Sequence, residues 1–216
     1  HSFKVPEKWS GWIAYQTKER NAKEPAPNGL KTQNDTSEKS YPLYIKDLNG
    51  ETKQFPQVTD YTFAKEEPIL AFISKGDTDG FNPGVYQYDL KSGTTTPVMI
   101  GKVSYKQLSY SKDGLMLAFV SDSTSLQEEK NYALYLWDGE GYAKEAVHGN
   151  THSIPENWTI SPYGKIRFSE SNDRLFFGTA PIRPDKDTAK LEEEVPKLDV
   201  WHWNEPVLHS QQLNDL

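Results

Sequence analysis

Along residues 105–122 (YKQLSYSKDGLMLAFVSD) the apolar positions change character halfway. Leu108 and Tyr110 alternate with polar neighbours, as side chains on the two faces of a strand do. Ser111, Lys112, Asp113 and Gly114 are polar or flexible, and a largely apolar run follows over 115–120. Asp-Gly supports a tight hairpin because glycine accepts the positive φ such turns require. Two antiparallel strands are therefore predicted, with the second over 115–120. A third is predicted over 132–138 (YALYLWD), a Gly-rich turn over 139–141 and a fourth strand over 143–147.

The same unit recurs. Residues 61–74 (YTFAKEEPILAFIS) read as the first hairpin, with 65–68 as its turn; 85–90 (VYQYDL) and 94–100 supply strands three and four. The Leu-Ala-Phe triplets at 70–72 and 117–119 lie 47 residues apart, near the period of roughly 40–45 for a four-stranded blade. A further copy runs over 166–179 (IRFSESNDRLFFGT), 198–203 (LDVWHW) and 207–213. Residues 12–16 (WIAYQ) and 43–48 (LYIKDL) form a copy without a clear first strand.

The fold class is thus all-β, with β-propeller blades of four antiparallel strands: one partial and three complete. Their expected limits are 9–60, 61–104, 105–160 and 161–216, with polar loop insertions at 17–40 and 181–197. Four units fit an open segment of a larger propeller or a tight four-bladed ring. The open segment is the preferred reading, and it predicts self-association through the apolar blade ends.

Composition narrows the function classes. The formal net charge is −7 with no basic cluster, which argues against nucleic acid. No apolar run approaches the roughly 20 residues of a membrane-spanning helix. The absence of cysteine excludes disulfides and thiolate metal sites.

The stretch SKDGLMLAFVSD at 111–122 resembles the WD40-like repeat of bacterial TolB-type propellers. It also resembles the N-terminal propellers of prolyl oligopeptidase family serine peptidases. Residues 43–56 (LYIKDLNGETKQFP), 155–161 (PENWTIS), 176–181 (FFGTAP) and 199–203 (DVWHW) carry the likeness towards peptidases of the Bacteroidetes type. It extends over most of the chain.

The resemblance implies a propeller covering a separate α/β-hydrolase domain, whose Ser-Asp-His triad places its nucleophile on a Gly-x-Ser-x-Gly elbow. No Gly-x-Ser-x-Gly occurs in these 216 residues. The expectation is a non-catalytic segment that restricts substrate access and docks the catalytic domain. The partners implied are the α/β-hydrolase domain of the same parent chain and its peptide substrate, in the periplasm or outside the cell. The alternative is a stand-alone TolB-like protein-interaction module. A propeller hydrolase acting on sugars would instead need carboxylates or histidines gathered in a central funnel.

No residue is nominated as catalytic, cofactor-binding or metal-binding, and no cofactor is expected. His148 and His152 are spaced i, i+4 but sit beside Gly149 and Asn150 in an expected loop between blades. Asp77 and Asp79 open like a calcium loop, yet Phe81, Asn82, Pro83 and Gly84 end the ligand series, so a turn is expected. Asp113, Asp138 and Asp173 are read as turn residues. Trp137, Trp158, Trp201 and Trp203 are read as packing between blades.

Overall fold

The computed structural model describes residues 2–17, 39–122 and 131–182. Strands β1 (Ser2–Lys4), β2 (Trp12–Gln16), β3 (Tyr41–Asp47), β4 (Thr52–Phe63), β5 (Ile69–Ser74), β6 (Gly84–Asp89) and β7 (Thr95–Ile100) form one antiparallel sheet in chain order. A second sheet follows from β8 (Tyr105–Tyr110), β9 (Leu117–Asp122), β10 (Tyr132–Trp137) and β11 (Lys144–Val147). β12 (Trp158–Ile160) pairs with β15 (Thr179–Pro181), and β13 (Arg167–Phe168) with β14 (Leu175–Phe176). All pairings are antiparallel and no helix occurs among the described residues, so the chain is an all-β segment of open propeller blades.

The seven-stranded sheet is two blades joined by one strand. β4 pairs with β3 up to Val58, which faces Tyr41, and with β5 from Val58 onward, where it faces Ser74. Gln57, at φ 46°, marks the bend. The same strand is thus outermost in the first blade and innermost in the second.

The first blade, which lacked a clear first strand in the sequence, receives one from β1. Ser2, Phe3 and Lys4 pair with Gln16, Tyr15 and Ala14. Three residues with a single apolar side chain carry no periodic signal, so this strand shows only through its pairing. The second strand of the third blade starts at Leu117 rather than 115. The Ser111 amide donates to the Met116 carbonyl at 2.8 Å, which keeps Leu115 in the turn and 68% exposed.

In the fourth blade β12–β13 and β14–β15 form one interrupted hairpin. An ideal Cβ on Gly164 would lie 2.8 Å from the Gly178 Cα, so the two backbones approach as only glycines allow. The strands expected at 198–203 and 207–213, and both loop insertions apart from residues 17, 39, 40, 181 and 182, lie outside the described residues.

The second strands of the second and third blades, β5 and β9, are buried on both sides, so their alternation is large against small rather than apolar against polar. Ala14, Leu43 and Ile45 of the first blade share a cluster with Tyr61, Leu70, Phe72, Tyr86 and Tyr88 of the second. Ala71, Ile73 and Val85 share the next with Leu117, Phe119, Tyr135 and Trp137. Ala118, Val120 and Leu134 share the third with Ile160 and Ile166, with Leu175 and Phe177 packed against them. The first three blades each bury an alanine against the blade after them, and the second and third turn stacked aromatic rings to the blade before them.

Candidate functional site

The first strand of every blade reaches one cavity of about 490 Å³. Lys4 comes from β1, Thr62 and Phe63 from β4, Leu108 to Tyr110 from β8, and Arg167 with Phe168 from β13. The wall continues into the turns that follow these strands through Lys65, Lys112 and Glu170. This is the axial funnel of the blade array.

Turn chemistry sets the rim. Ser111 Oγ accepts from the Met116 amide at 2.9 Å and donates to Asp113 Oδ1 at 2.6 Å. Ser169 repeats the arrangement, accepting from the Arg174 amide at 3.1 Å and donating to Asp173 Oδ1 at 2.7 Å. Asn172, at φ 60°, stands where Gly114 does, at φ 76°. Asparagine tolerates the left-handed region better than most residues because its short side chain bonds locally. Its Oδ1 here accepts from the Lys112 amide of the neighbouring blade at 2.9 Å.

Charge ties the turns together. Glu170 bridges Lys112 at 3.0 Å and Lys65 at 3.9 Å, and Glu7 reaches Lys65 at 3.6 Å. Lys8 and Glu66 pair beside them at 2.5 Å. A hydrogen bond from Lys112 holds the Glu170 carboxyl below its usual range, and Glu170 in turn raises the Lys112 ammonium. Lys4 donates to the Tyr61 carbonyl and stands 3.5 Å from Asp60. Among the described residues the lining includes the cations Lys4, Lys65, Lys112 and Arg167 and the carboxylates Glu7 and Glu170.

Among the described residues no histidine lines this cavity. The hydroxyls of Ser111 and Ser169 are committed to their turns, and Tyr110 donates across blades to Gln87 Oε1 at 2.8 Å. Burial pushes the Tyr110 phenol well above its ordinary value. The wall can hold an extended chain through charge, hydrogen bonds and the Phe63 and Phe168 rings.

The residues weighed from the sequence lie elsewhere. Asp77 Oδ1 accepts from the amides of Asp79 and Phe81, 2.9 Å each, as a turn residue does. His148 lies between β11 and β12, its Nδ1 3.4 Å from Glu145 and 3.3 Å from Thr151. His152 lies in the same connection. Asp138 accepts from the Glu140 amide in its turn at 3.3 Å. Trp137 is buried between the second and third blades and donates to the Gly141 carbonyl at 3.0 Å. Trp158 is half-buried, while Trp201 and Trp203 fall outside the described residues. No helix among the described residues is long and apolar enough to cross a membrane.

The funnel residues were not singled out in the sequence, although a signal existed. Lys65, Lys112 and Glu170 each follow the residue whose amide closes the turn: Ala64 to Ile69, Ser111 to Met116 and Ser169 to Arg174. Aligning the three turns places them at one position.

No protein-family model matches the chain. No curated protein matches it either. Among solved structures, one from a structural and mechanistic analysis of two prolyl endopeptidases aligns over 81% of this chain and 25% of its own, at 12% identity and a TM-score of 0.44. An acylaminoacyl peptidase from Pyrococcus horikoshii aligns over 74% of this chain and 26% of its own, at 15% identity and 0.42. TolB from Acinetobacter baumannii aligns over 79% and 36%, at 19% identity and 0.41. The chain spans 59% of the β-propeller domain of the Trilobed protease from Pyrococcus furiosus, at 10% identity and 0.35. At these values the fold rests on the chain's own sheets.

Proposed function

We propose that this chain is the non-catalytic propeller segment of a prolyl oligopeptidase-type serine peptidase of the Bacteroidetes type. Its axial funnel restricts the peptides that reach a separate α/β-hydrolase domain of the same parent polypeptide. The funnel is the observation that carries the reading. Its volume falls within the range of about 300–1,000 Å³ that ligand pockets occupy, and its rim is fastened across three blades by Glu170. Two of its hydroxyls, on Ser111 and Ser169, serve turns, and in this reading the wall selects peptides rather than reacting with them. A periplasmic or extracellular location belongs to the same reading.

The test is active-serine labelling with a fluorophosphonate, combined with peptide hydrolysis. The expected result is cleavage and labelling in the parent polypeptide, with the labelled serine outside residues 1–216, and neither in the chain alone. A parent that neither labels nor cleaves leaves the funnel as a binding site for a protein segment, the TolB-like alternative.

A further inference from the structure

The funnel wall is built in rows, with one residue from each blade. Lys4, Thr62 and Ser109 stand opposite the second-strand alanines Ala14, Ala71 and Ala118. Arg167 holds the same place in the fourth blade, two residues before Ser169 as Ser109 is two before Ser111. One residue further along lie Val5, Phe63, Tyr110 and Phe168, and two beyond those lie Glu7, Lys65, Lys112 and Glu170. Every member of the three rows lines the cavity. A polar, an apolar and a charged row therefore succeed one another along the wall.

The rows differ in how their charges are met. In the charged row Glu7 pairs with Lys65, Lys65 with Glu170, and Glu170 with Lys112. In the polar row Lys4 is met by Asp60 and the Tyr61 carbonyl. Arg167 is not met in this way. Its guanidinium stands 5.3 Å over the Phe176 ring, and among the described residues its side chain has no carboxylate partner and no hydrogen-bond acceptor. A ring face attracts the cation and leaves its planar fork of N–H donors for a carboxylate, whose geometry that fork matches. Strand β13 lies beside β8, where the Ser109 hydroxyl makes no hydrogen bond to another described residue.

We infer that Arg167 and Ser109 form a carboxylate subsite. The funnel takes peptide segments in which an acidic group adjoins an apolar side chain, the latter held by Phe63, Tyr110 and Phe168. The two rows are one residue apart along their strands, about 3.3 Å, which is also the rise per residue of an extended peptide. An aspartate or glutamate side chain and a C-terminal carboxylate offer the same chemistry. The inference rests on the peptide-selecting reading and names its substrate class, while the binding step is measurable in the 216-residue chain alone.

Calorimetric titration of that chain tests it with blocked acetyl-Ala-Ala-Phe-Glu-amide, its Gln counterpart, and the Gln peptide with a free C-terminal carboxylate. The wild type is expected to bind the Glu peptide at least about fivefold more tightly than the blocked Gln peptide, the order a partly exposed ion pair supplies. Arg167→Gln should remove this preference and Arg167→Lys should keep part of it. Lys144→Gln, exposed on β11 away from the cavity, should leave it intact. An Arg167-dependent gain in the free-terminus peptide supports the subsite with a chain end as its source, and no such gain leaves the acidic side chain as the source. Equal binding of the Glu and blocked Gln peptides, no binding of either, or a preference that survives Arg167→Gln overturns the inference. If the preference holds in the chain but the parent polypeptide cleaves both peptides at equal kcat/KM, the subsite stands and the access-restricting reading fails.

Discussion

Phe119 stacks on Tyr135 across β9 and β10, ring centroids 5.7 Å apart and planes 11° from parallel. One blade earlier, Phe72 and Tyr86 hold the same cross-strand position. Stacked pairs of this kind contribute about 0.5–1.5 kcal/mol beyond their area burial. Here each pair also faces the preceding blade, so the repeat fastens blades to one another as well as strands within a blade.

Phe119→Ala should therefore loosen the contact between the second and third blades. Truncating a buried phenylalanine costs about 3–5 kcal/mol. Phe3→Ala, at an exposed position, should stay within about 0.5 kcal/mol in the 216-residue chain. Urea unfolding of both variants checks the contrast, and equal losses would remove the distinction between covered and open blade faces.

Gly84→Ala tests the close pairing of β6 with β7. An added Cβ would lie 2.3 Å from the Met99 carbonyl oxygen, a backbone atom that cannot turn aside. The strand must shift, at a cost of about 1–3 kcal/mol or more. A variant as stable as the wild type in urea would show that β7 yields without loss.

Part of this architecture was legible in the sequence and part was not. The Leu-Ala-Phe triplets and Asp113-Gly114 announce blades because size alternation and turn chemistry are local. Phe3 gave no warning, since a three-residue strand is defined by its partner. Lys65, Lys112 and Glu170 escaped notice for a different reason. In the second blade Ala64 replaces the turn serine and Glu67 stands where Gly114 does, so the turns look unrelated until their closing hydrogen bonds are compared. A funnel assembled from distant turns shows in the sequence only once those turns are aligned with one another.

Alkaline pH should unfold the protein through its buried tyrosines. Burial raises the phenols of Tyr61, Tyr86, Tyr88, Tyr110 and Tyr135, and pushes Tyr105 up to about 12. The folded state thus holds protons that the unfolded chain releases near its ordinary value of 10.0. Their stabilisation is complete below that value and is lost as pH rises through about 12. Phenolate absorbance and circular dichroism should change together across this window. Phenolate appearing near 10 with the fold intact would contradict the burial of these hydroxyls.

Acid should act on the rim and its turns in the opposite sense. Hydrogen bonds from Ser111 and Ser171 hold Asp113 and Asp173 low, and Lys112 holds Glu170 low. Their contribution is present above the ordinary carboxylate range and fades as pH falls through it. These groups are exposed, so the loss should be shallow and reduced by salt. Urea midpoints measured at low and high salt check it, and a steep loss independent of salt would point to another cause.

The function of the funnel is tested most directly by narrowing it in the parent polypeptide. Ser109 lines the wall on β8 beside Tyr110, and Ser109→Trp adds bulk there. The measurement is kcat/KM for a series of peptides of increasing length. The account predicts a loss of at least about tenfold for long peptides, with little change for the shortest and no cleavage by residues 1–216 alone. Equal rates for all lengths, or cleavage by the 216-residue chain itself, would contradict it.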